Sequence, residues 1–205
     1  MDMSSLIDMA DLPIWHDGER SSGEYSLPLR ANPQSDGGAA PSWSEVAQNA
    51  GLLAGIPADE IYDLRGFKCA RSPQSHIGPF LNAVDFIVPA GSRILAARRG
   101  VIIEVVEKND EWGDSDQFRD RLNYVTVEHD RGEYSQYCHV GKDTVTGCGL
   151  RVGATVEPGQ EIGKTGRNGW MDRDHLHFVV FRDDNRNPSN PLTGWKFKSL
   201  AIRFK

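Results

Sequence analysis

The chain has 205 residues, of which 39% are hydrophobic and 25% are charged, a composition typical of one globular domain with an extension. No apolar run approaches the ~20 residues needed to span a bilayer, and the net charge of −6 disfavours nucleic acid as a partner. The N-terminus lacks the basic start and apolar core of a secretion signal, so this is a processed form, is exported by another route, or stays inside the cell.

The charge is unevenly distributed along the chain. Residues 1–66 carry 11 acidic and 3 basic side chains, whereas residues 67–205 carry 18 acidic and 20 basic ones. We therefore predict an acidic, partly helical N-terminal extension over 1–66 and a folded domain over 67–205. The extension is expected to pack on the domain. A second hypothesis is that it lies over the more basic domain and hinders its site, with His16 or a carboxylate close by.

The extension contains few signals for regular structure. Residues 1–41 are expected to be weakly structured, because Gly, Ser, Pro and Asp dominate their second half. Ser42-Trp43-Ser44-Glu45 fits a capping box and predicts a helix over residues 43–53. Pro57, at a first helical position, predicts a second short helix over residues 57–64.

From Arg71 onward the sequence changes to short β-type runs separated by Gly and Pro turns. Because there is no alternation of strands with helices, the sheet should be mainly antiparallel. The predicted strands are Ala83–Val88, Arg93–Ala97, Val101–Glu107, Tyr124–Glu128, Glu133–Val140, Glu161–Lys164 and His177–Phe181. Residues 108–122 are predicted to form a charged surface loop or short helix, and the apolar side chains after residue 185 to close the domain.

Two histidines lie one residue apart in Asp174-His175-Leu176-His177-Phe178. The aromatic and β-branched residues that follow predict a strand, so His175 and His177 should point to the same face. Alone, this pattern fits two surface histidines on an amphipathic strand. The positions of His76, His139 and Asp85 favour a site, because Asp85 is a carboxylate within an apolar strand, where it must be capped, ion-paired or bound to a cation.

The three cysteines, Cys69, Cys138 and Cys148, have no Cys-x-x-Cys spacing, which argues against a structural zinc site. Two alternatives remain open for Cys138 and Cys148: a disulfide across a hairpin, or two buried free thiols.

Residues 70–182 resemble the lysostaphin-like (LytM-type) zinc endopeptidases of bacterial cell walls. The resemblance rests on an ordered set of segments that ends in the His-x-His pair. They are His76 with Asp85-Phe86 and Val88-Pro89-Ala90-Gly91, then Ala96–Val101, Asn123–Gly132, Tyr137–Val140, Val152–Gly163 and His175–Phe178. It implies a mainly β, antiparallel domain with an open groove, similar to duplicated hybrid motifs, after a short helical extension.

The resemblance also implies roles for five residues. His76, Asp85 and His177 become ligands of one Zn²⁺ per chain, with a fourth position left for water. His139 and His175 become the catalytic pair: one orients or deprotonates the water, and the other stabilises the oxyanion or protonates the leaving amine. The implied partners are peptidoglycan peptides, and the implied location is outside the cytoplasm.

Three features differ from the usual family pattern. His76 and Asp85 lie nine positions apart instead of four, and Asp174 stands where a small residue or proline is more usual. A carboxylate beside His175 would favour the protonated imidazole. The loop Gly166-Arg167-Asn168-Gly169-Trp170 replaces the usual Asn-Thr-Gly. Arg167, Asn168 and Trp170 of this loop are therefore predicted to line the substrate groove. Tyr137, which shares the strand face of His139, is a further groove candidate, with core packing as the alternative.

Two other functions compete with this interpretation. A catalytically silent wall-binding or regulatory module of the same fold should have lost ligands, and all five residues are present here. A zinc hydrolase that acts on something other than the wall is also compatible with the same residues. We predict hydrolysis of peptide bonds in peptidoglycan stem peptides or cross-bridges.

Overall fold

The structure is a computed structural model, which describes residues 6–9, 18–30, 41–183 and 196–205. Within these ranges it is mostly strand, and no helix there is long and apolar enough to cross a membrane. The strands are β1 Ile7–Asp8, β2 Arg20–Tyr25, β3 Ile61–Leu64, β4 Phe67–Ala70, β5 Val84–Phe86, β6 Arg93–Leu95, β7 Gly100–Val106, β8 Trp112–Gly113, β9 Tyr124–Glu128, β10 Tyr134–Cys138, β11 Thr155–Val156, β12 Glu161–Lys164, β13 Gly169–Trp170, β14 Leu176–Asp183, β15 Phe197–Ser199 and β16 Ala201–Phe204. The helices are α1 Trp43–Asn49, α2 Thr144–Gly147 and the 3₁₀ helices Ala58–Glu60, Gly78–Phe80, Asp116–Arg121 and Asp130–Gly132.

Nine strands form the main sheet, in the order β11-β7-β9-β10-β14-β5-β4-β3, with β15 also paired to β14. Every strand pair in this sheet is antiparallel, so the predicted fold class is confirmed. The described residues add two short parallel pairs, β2 with β16 and β8 with β13.

Strand β14 determines where the core ends and the site begins. Leu176, Phe178 and Val180 lie on one face and are fully buried in the main apolar cluster. On the other face, Val179 and Phe181 belong to a second cluster, whereas His177 remains partly exposed. The histidine end of the strand therefore lies where the apolar packing of that face stops.

The prediction that residues 1–41 are weakly structured is wrong for β2. This strand pairs in parallel with β16, and Tyr25 at its end is fully buried. The fully buried carboxylate of Glu133 accepts hydrogen bonds from the amides of Ser22 and Gly23 and from the Tyr25 hydroxyl. The strand is thus stabilised by a residue more than 100 positions away, which leaves no local signal in its own sequence.

The capping box of α1 is confirmed. Ser42 Oγ accepts from the Glu45 amide, and the Glu45 carboxylate accepts from the Ser42 amide, although the helix ends at Asn49 and not at residue 53.

The second predicted helix is wrong beyond its first turn. Ala58–Glu60 is a 3₁₀ turn, and β3 follows because Tyr62 and Leu64 alternate into the core. Strands β3 and β4 form a hairpin whose turn holds the predicted boundary between residues 66 and 67, and that boundary stays a prediction.

The three cysteines are free thiols, with Cys69 and Cys138 buried. The alternative of two buried free thiols is therefore right for Cys138 and wrong for Cys148, which is exposed.

Candidate metal centre

Three side chains from distant parts of the chain converge at one end of the main sheet. His76 lies in the loop before the 3₁₀ helix Gly78–Phe80, Asp85 is in the middle of β5, and His177 is its direct partner on β14. One potential ligand atom from each lies within 4.8 Å of the others. His76 Nε2 is 3.2 Å from Asp85 Oδ2, and His177 Nδ1 is 2.9 Å from Asp85 Oδ1.

The donor atoms fit zinc. Two imidazoles and one carboxylate form the kind of three-ligand set that holds catalytic Zn²⁺ while leaving one position for water. The side chains of His76 and Asp85 are almost fully buried, whereas that of His177 is 14% exposed. The centre is therefore shielded by protein but can be reached from one side.

Asp85 is held in its ionised form. Burial raises the pKa of this carboxyl, but the neighbouring charges of His76 and His175 and the hydrogen bond from His177 outweigh burial and keep it well below its ordinary value. Ser72 Oγ donates to Asp85 Oδ2 at 2.5 Å, and the Ser72 carbonyl accepts from the His76 amide at 2.8 Å. Ser72 therefore orients two of the three candidate ligands.

His175 and His139 lie beside this cluster as a pair, with 4.5 Å between their ring centroids. His175 Nδ1 is 2.9 Å from the carbonyl of Arg173, and His139 Nδ1 is 2.8 Å from the carbonyl of Asn168. Because a carbonyl only accepts, both rings carry their proton on Nδ1 when neutral and leave Nε2 as an acceptor. His175 Nε2 is 3.8 Å from Asp85 Oδ1, which places it at the edge of the cluster.

Two asparagines fix His139. Asn168 Oδ1 accepts from the Asn123 amide at 2.8 Å, and the Asn123 carbonyl accepts from the His139 amide at 2.9 Å. His139 follows β10 in a left-handed conformation with φ 62°, which turns its ring out of the sheet. Burial and the neighbouring charge of His175 lower the pKa of His139 to about 3. Sequence reasoning missed the roles of Ser72 and Asn123; the only local signal was a short polar side chain next to a strand end.

A sequence profile described as Peptidase family M23 matches residues 79–191. The chain belongs to this family. The M23 match includes Asp85, His139, His175 and His177 and begins three residues after His76.

Two curated relatives align with about half of the chain. One, named an uncharacterized metalloprotease, from Buchnera aphidicola subsp. Baizongia pistaciae, is 29% identical over 111 residues, which cover 54% of this chain and 26% of that protein. The other, the peptidoglycan DD-endopeptidase ShyA of Vibrio cholerae, is 29% identical over 99 residues, which cover 48% and 20%. The chain thus spans about a quarter or less of the length of these relatives.

Solved structures of peptidases are also similar. The catalytic domain of the antimicrobial peptidase lysostaphin from Staphylococcus simulans is 25% identical, with a TM-score of 0.39, and the match covers 56% of this chain and 72% of that one. A zinc-containing peptidase from Vibrio cholerae is 27% identical, with a TM-score of 0.37 and coverage of 48% and 26%.

The four predicted groove residues occupy different environments. Tyr137 is fully buried, and its hydroxyl accepts from the Ala97 amide, so the core-packing alternative describes it. Asn168 is also buried and acts through His139. Arg167 and Trp170 are exposed at the surface next to the insertion 108–122, where β8 pairs with β13.

Asp174 does not hydrogen-bond to His175. Its carboxylate accepts two hydrogen bonds from Arg167, at 2.6 and 3.1 Å, and one from the Ala90 amide at 3.0 Å. Although burial raises the pKa of Asp174, these hydrogen bonds outweigh it and hold the pKa below its usual range. The carboxylate thus ties the loop before β14 to two neighbouring loops.

Replacing Gly166 with alanine is expected to lower the free energy of unfolding by about 1–3 kcal/mol, because the new Cβ overpacks the loop against its neighbour. That Cβ would lie 2.5 Å from Gly141 Cα, and the Gly166 amide donates to the His139 carbonyl. Gly147→Ala is the matched control, since no atom lies within 4 Å of its Cβ. Thermal denaturation compares the two variants. Equal melting temperatures would contradict the expected clash between a Cβ at position 166 and Gly141.

His129 lies outside the centre. Its Nδ1 is 2.8 Å from the Arg99 carbonyl and its Nε2 is 2.9 Å from Ser135 Oγ. Burial lowers the pKa of His129 to about 4, against a smaller opposing effect of the hydrogen bond to Arg99. The charged groups around it are Arg98, Glu133 and Asp130.

Acidification is therefore expected to destabilise the fold through His129. Because its pKa is lower in the folded than in the unfolded chain, the unfolded chain binds the proton first as the pH falls from about 6.5 towards 4, at a cost of roughly 3 kcal/mol. His129→Gln should lose this part of the pH dependence. Urea denaturation at pH 7 and pH 4.5, without added metal, measures the loss of stability in the wild type and in His129→Gln. Equal losses in the two proteins would refute the contribution of His129.

Proposed function

We propose that this chain is a zinc-dependent endopeptidase that hydrolyses peptide bonds in peptidoglycan stem peptides or cross-bridges. The observation that carries the proposal is the convergence of His76, Asp85 and His177 within 4.8 Å, beside the pair His139 and His175. Membership of Peptidase family M23 supports peptide hydrolysis. The wall substrate is supported by the relative named a peptidoglycan DD-endopeptidase, and it implies a location outside the cytoplasm.

His76, Asp85 and His177 would hold one zinc ion per chain. When bound, zinc polarises a carbonyl oxygen and lowers the pKa of a water molecule to about 7. The protein supplies the proton transfers. With Nδ1–H donated to a backbone carbonyl, His175 and His139 each keep Nε2 ready to accept a proton from water.

The same two imidazoles complete the reaction. An imidazole that has taken a proton on Nε2 becomes a donor, which can protonate the leaving amine or hydrogen-bond to the developing oxyanion. The hydrogen bonds to the backbone carbonyls of Arg173 and Asn168 keep the rings in place during this exchange.

The test combines metal content with wall digestion. The purified chain is expected to hold one zinc and to release peptides from purified peptidoglycan, detected by mass spectrometry, whereas His177→Ala should lose both. His129→Gln is the matched control, since this buried histidine lies outside the centre. Stoichiometric zinc without cleavage of any wall preparation would refute the wall substrate, and cleavage of other peptides would then identify a zinc peptidase with a different substrate.

A further inference from the structure

A cleft of about 290 Å³ is lined in part by the loop residues that lead into His175. One side is formed by Trp112, Arg167 and residues 172–174, which directly precede His175. The other side is formed by Gly51, Leu52 and Ala54. These three residues lie well before residue 79, so this wall of the cleft comes from outside the M23 match.

Arg173 joins this wall to the catalytic pair. Its guanidinium donates to the carbonyls of Leu52 and Ala54, at 3.1 and 2.9 Å, while its own carbonyl accepts from His175 Nδ1 at 2.9 Å. Asp172 holds the same guanidinium with contacts of 2.5–3.1 Å. Arg173 therefore contacts the wall through its side chain and His175 through its backbone carbonyl.

The wall is also anchored from behind. Leu52, Leu53 and Ile56 pack against the buried cluster of Ala47, Ala70 and Ile87, which connects α1 with the main sheet. Ala54 is exposed and borders the cleft. The segment is thus a fixed side of the cleft, held in place by the packing behind it.

The cleft has no net charge along its lining. Its two guanidinium groups are paired with its two carboxylates, Arg167 with Asp174 and Arg173 with Asp172. The guanidinium of Arg167 also lies over the ring of Trp112, with 5.5 Å to the ring centroid. Such a lining suits an uncharged stretch of peptide, whose amide groups and small side chains need hydrogen bonds and contact area more than an opposite charge.

We propose that residues 51–54 of the N-terminal extension form a binding wall for the uncharged part of the peptide substrate next to His175. This inference rests on the proposed function and extends it: the extension contributes to substrate binding and does not inhibit the enzyme. Ala54 is a specificity-determining position.

Point substitution tests this better than deletion, because deleting residues 1–66 would also remove β2, β3 and α1 from the fold. Ala54→Arg fills the cleft, and the matched control Ala58→Arg places the same side chain on an exposed position of the extension away from the cleft. With a soluble cross-linked peptidoglycan peptide, Ala54→Arg is expected to raise KM about tenfold with little change in kcat, and Ala58→Arg to match the wild type.

Binding is measured separately from turnover. In the His139→Ala background, which keeps the three metal ligands, the Kd for the same peptide should rise about tenfold with Ala54→Arg and not with Ala58→Arg. Equal effects of the two substitutions, a rise in kcat/KM with Ala54→Arg, or no binding to either chain would overturn the inference. If the wild type binds the peptide in an Ala54-dependent way but does not cleave it, the proposed function is refuted. The peptide-binding role of residues 51–54 is then still supported.

Discussion

Replacing Asp85 with asparagine is expected to remove the zinc and to lower hydrolysis of wall peptides by about 10³-fold or more. The asparagine side chain has nearly the same size, but it cannot supply the negative charge that lies among His76, His175 and His177. Its amide hydrogens would also face imidazole nitrogens that now face a carboxylate oxygen. The measurements are metal content by mass spectrometry and the rate of peptide release.

Asp63→Asn is the control for this experiment. Asp63 is on β3 of the same sheet, its side chain is 64% exposed, and it pairs only with the surface residue Lys68 among the contacts of the described residues. It should keep wild-type zinc content and rate. An Asp85→Asn chain that retained one tightly bound zinc ion and normal turnover would show that the metal binds elsewhere.

The second large effect concerns stability. Glu133→Ala is expected to lower the free energy of unfolding by about 3–5 kcal/mol, because it leaves the buried donors of β2 without their acceptor and removes a carboxylate from two guanidinium groups. The Glu133 side chain is fully buried and accepts from Arg98 at 3.0 Å and Arg182 at 3.3 Å, in addition to the hydrogen bonds from β2. Urea denaturation at pH 7 measures the loss.

Glu128→Ala provides the comparison, since Glu128 ends the neighbouring strand β9 and is exposed. It should change stability by less than about 0.5 kcal/mol. Hydrogen exchange adds a local readout: the amides of Ser22 and Gly23 should exchange faster in Glu133→Ala, because the carboxylate is their acceptor. Identical denaturation midpoints for the two variants would contradict the stabilising role of the Glu133 contacts.

The parts of the centre that follow from local pattern were predictable. Alternation along a strand placed His175 and His177 on one side, and both face Asp85 in the structure. The cost of a carboxylate in an apolar strand singled out Asp85. The resemblance supplied His76, which no periodicity could have connected to a residue 101 positions later.

What remained unpredictable depends on contacts between distant residues. Strand β2 buries only Ser21, Gly23 and Tyr25, which is too weak an apolar pattern to indicate a strand. The β3 alternation of Tyr62 and Leu64 was visible but short, and the preceding proline favoured a helix. Asn123 and Asn168 became recognisable as supports of His139 only once the loops that carry them were seen side by side.

The small sheet formed by β1, β16 and β2 also affects how the molecule is made. Arg203 donates to Ser21, a residue 182 positions earlier, so the two ends of the described chain must meet before this sheet exists. During synthesis β2, which includes Tyr25, therefore cannot pair with β16 until residues 201–204 have left the ribosome. Contacts this far apart form slowly, which makes the joining of the two ends a late event in folding.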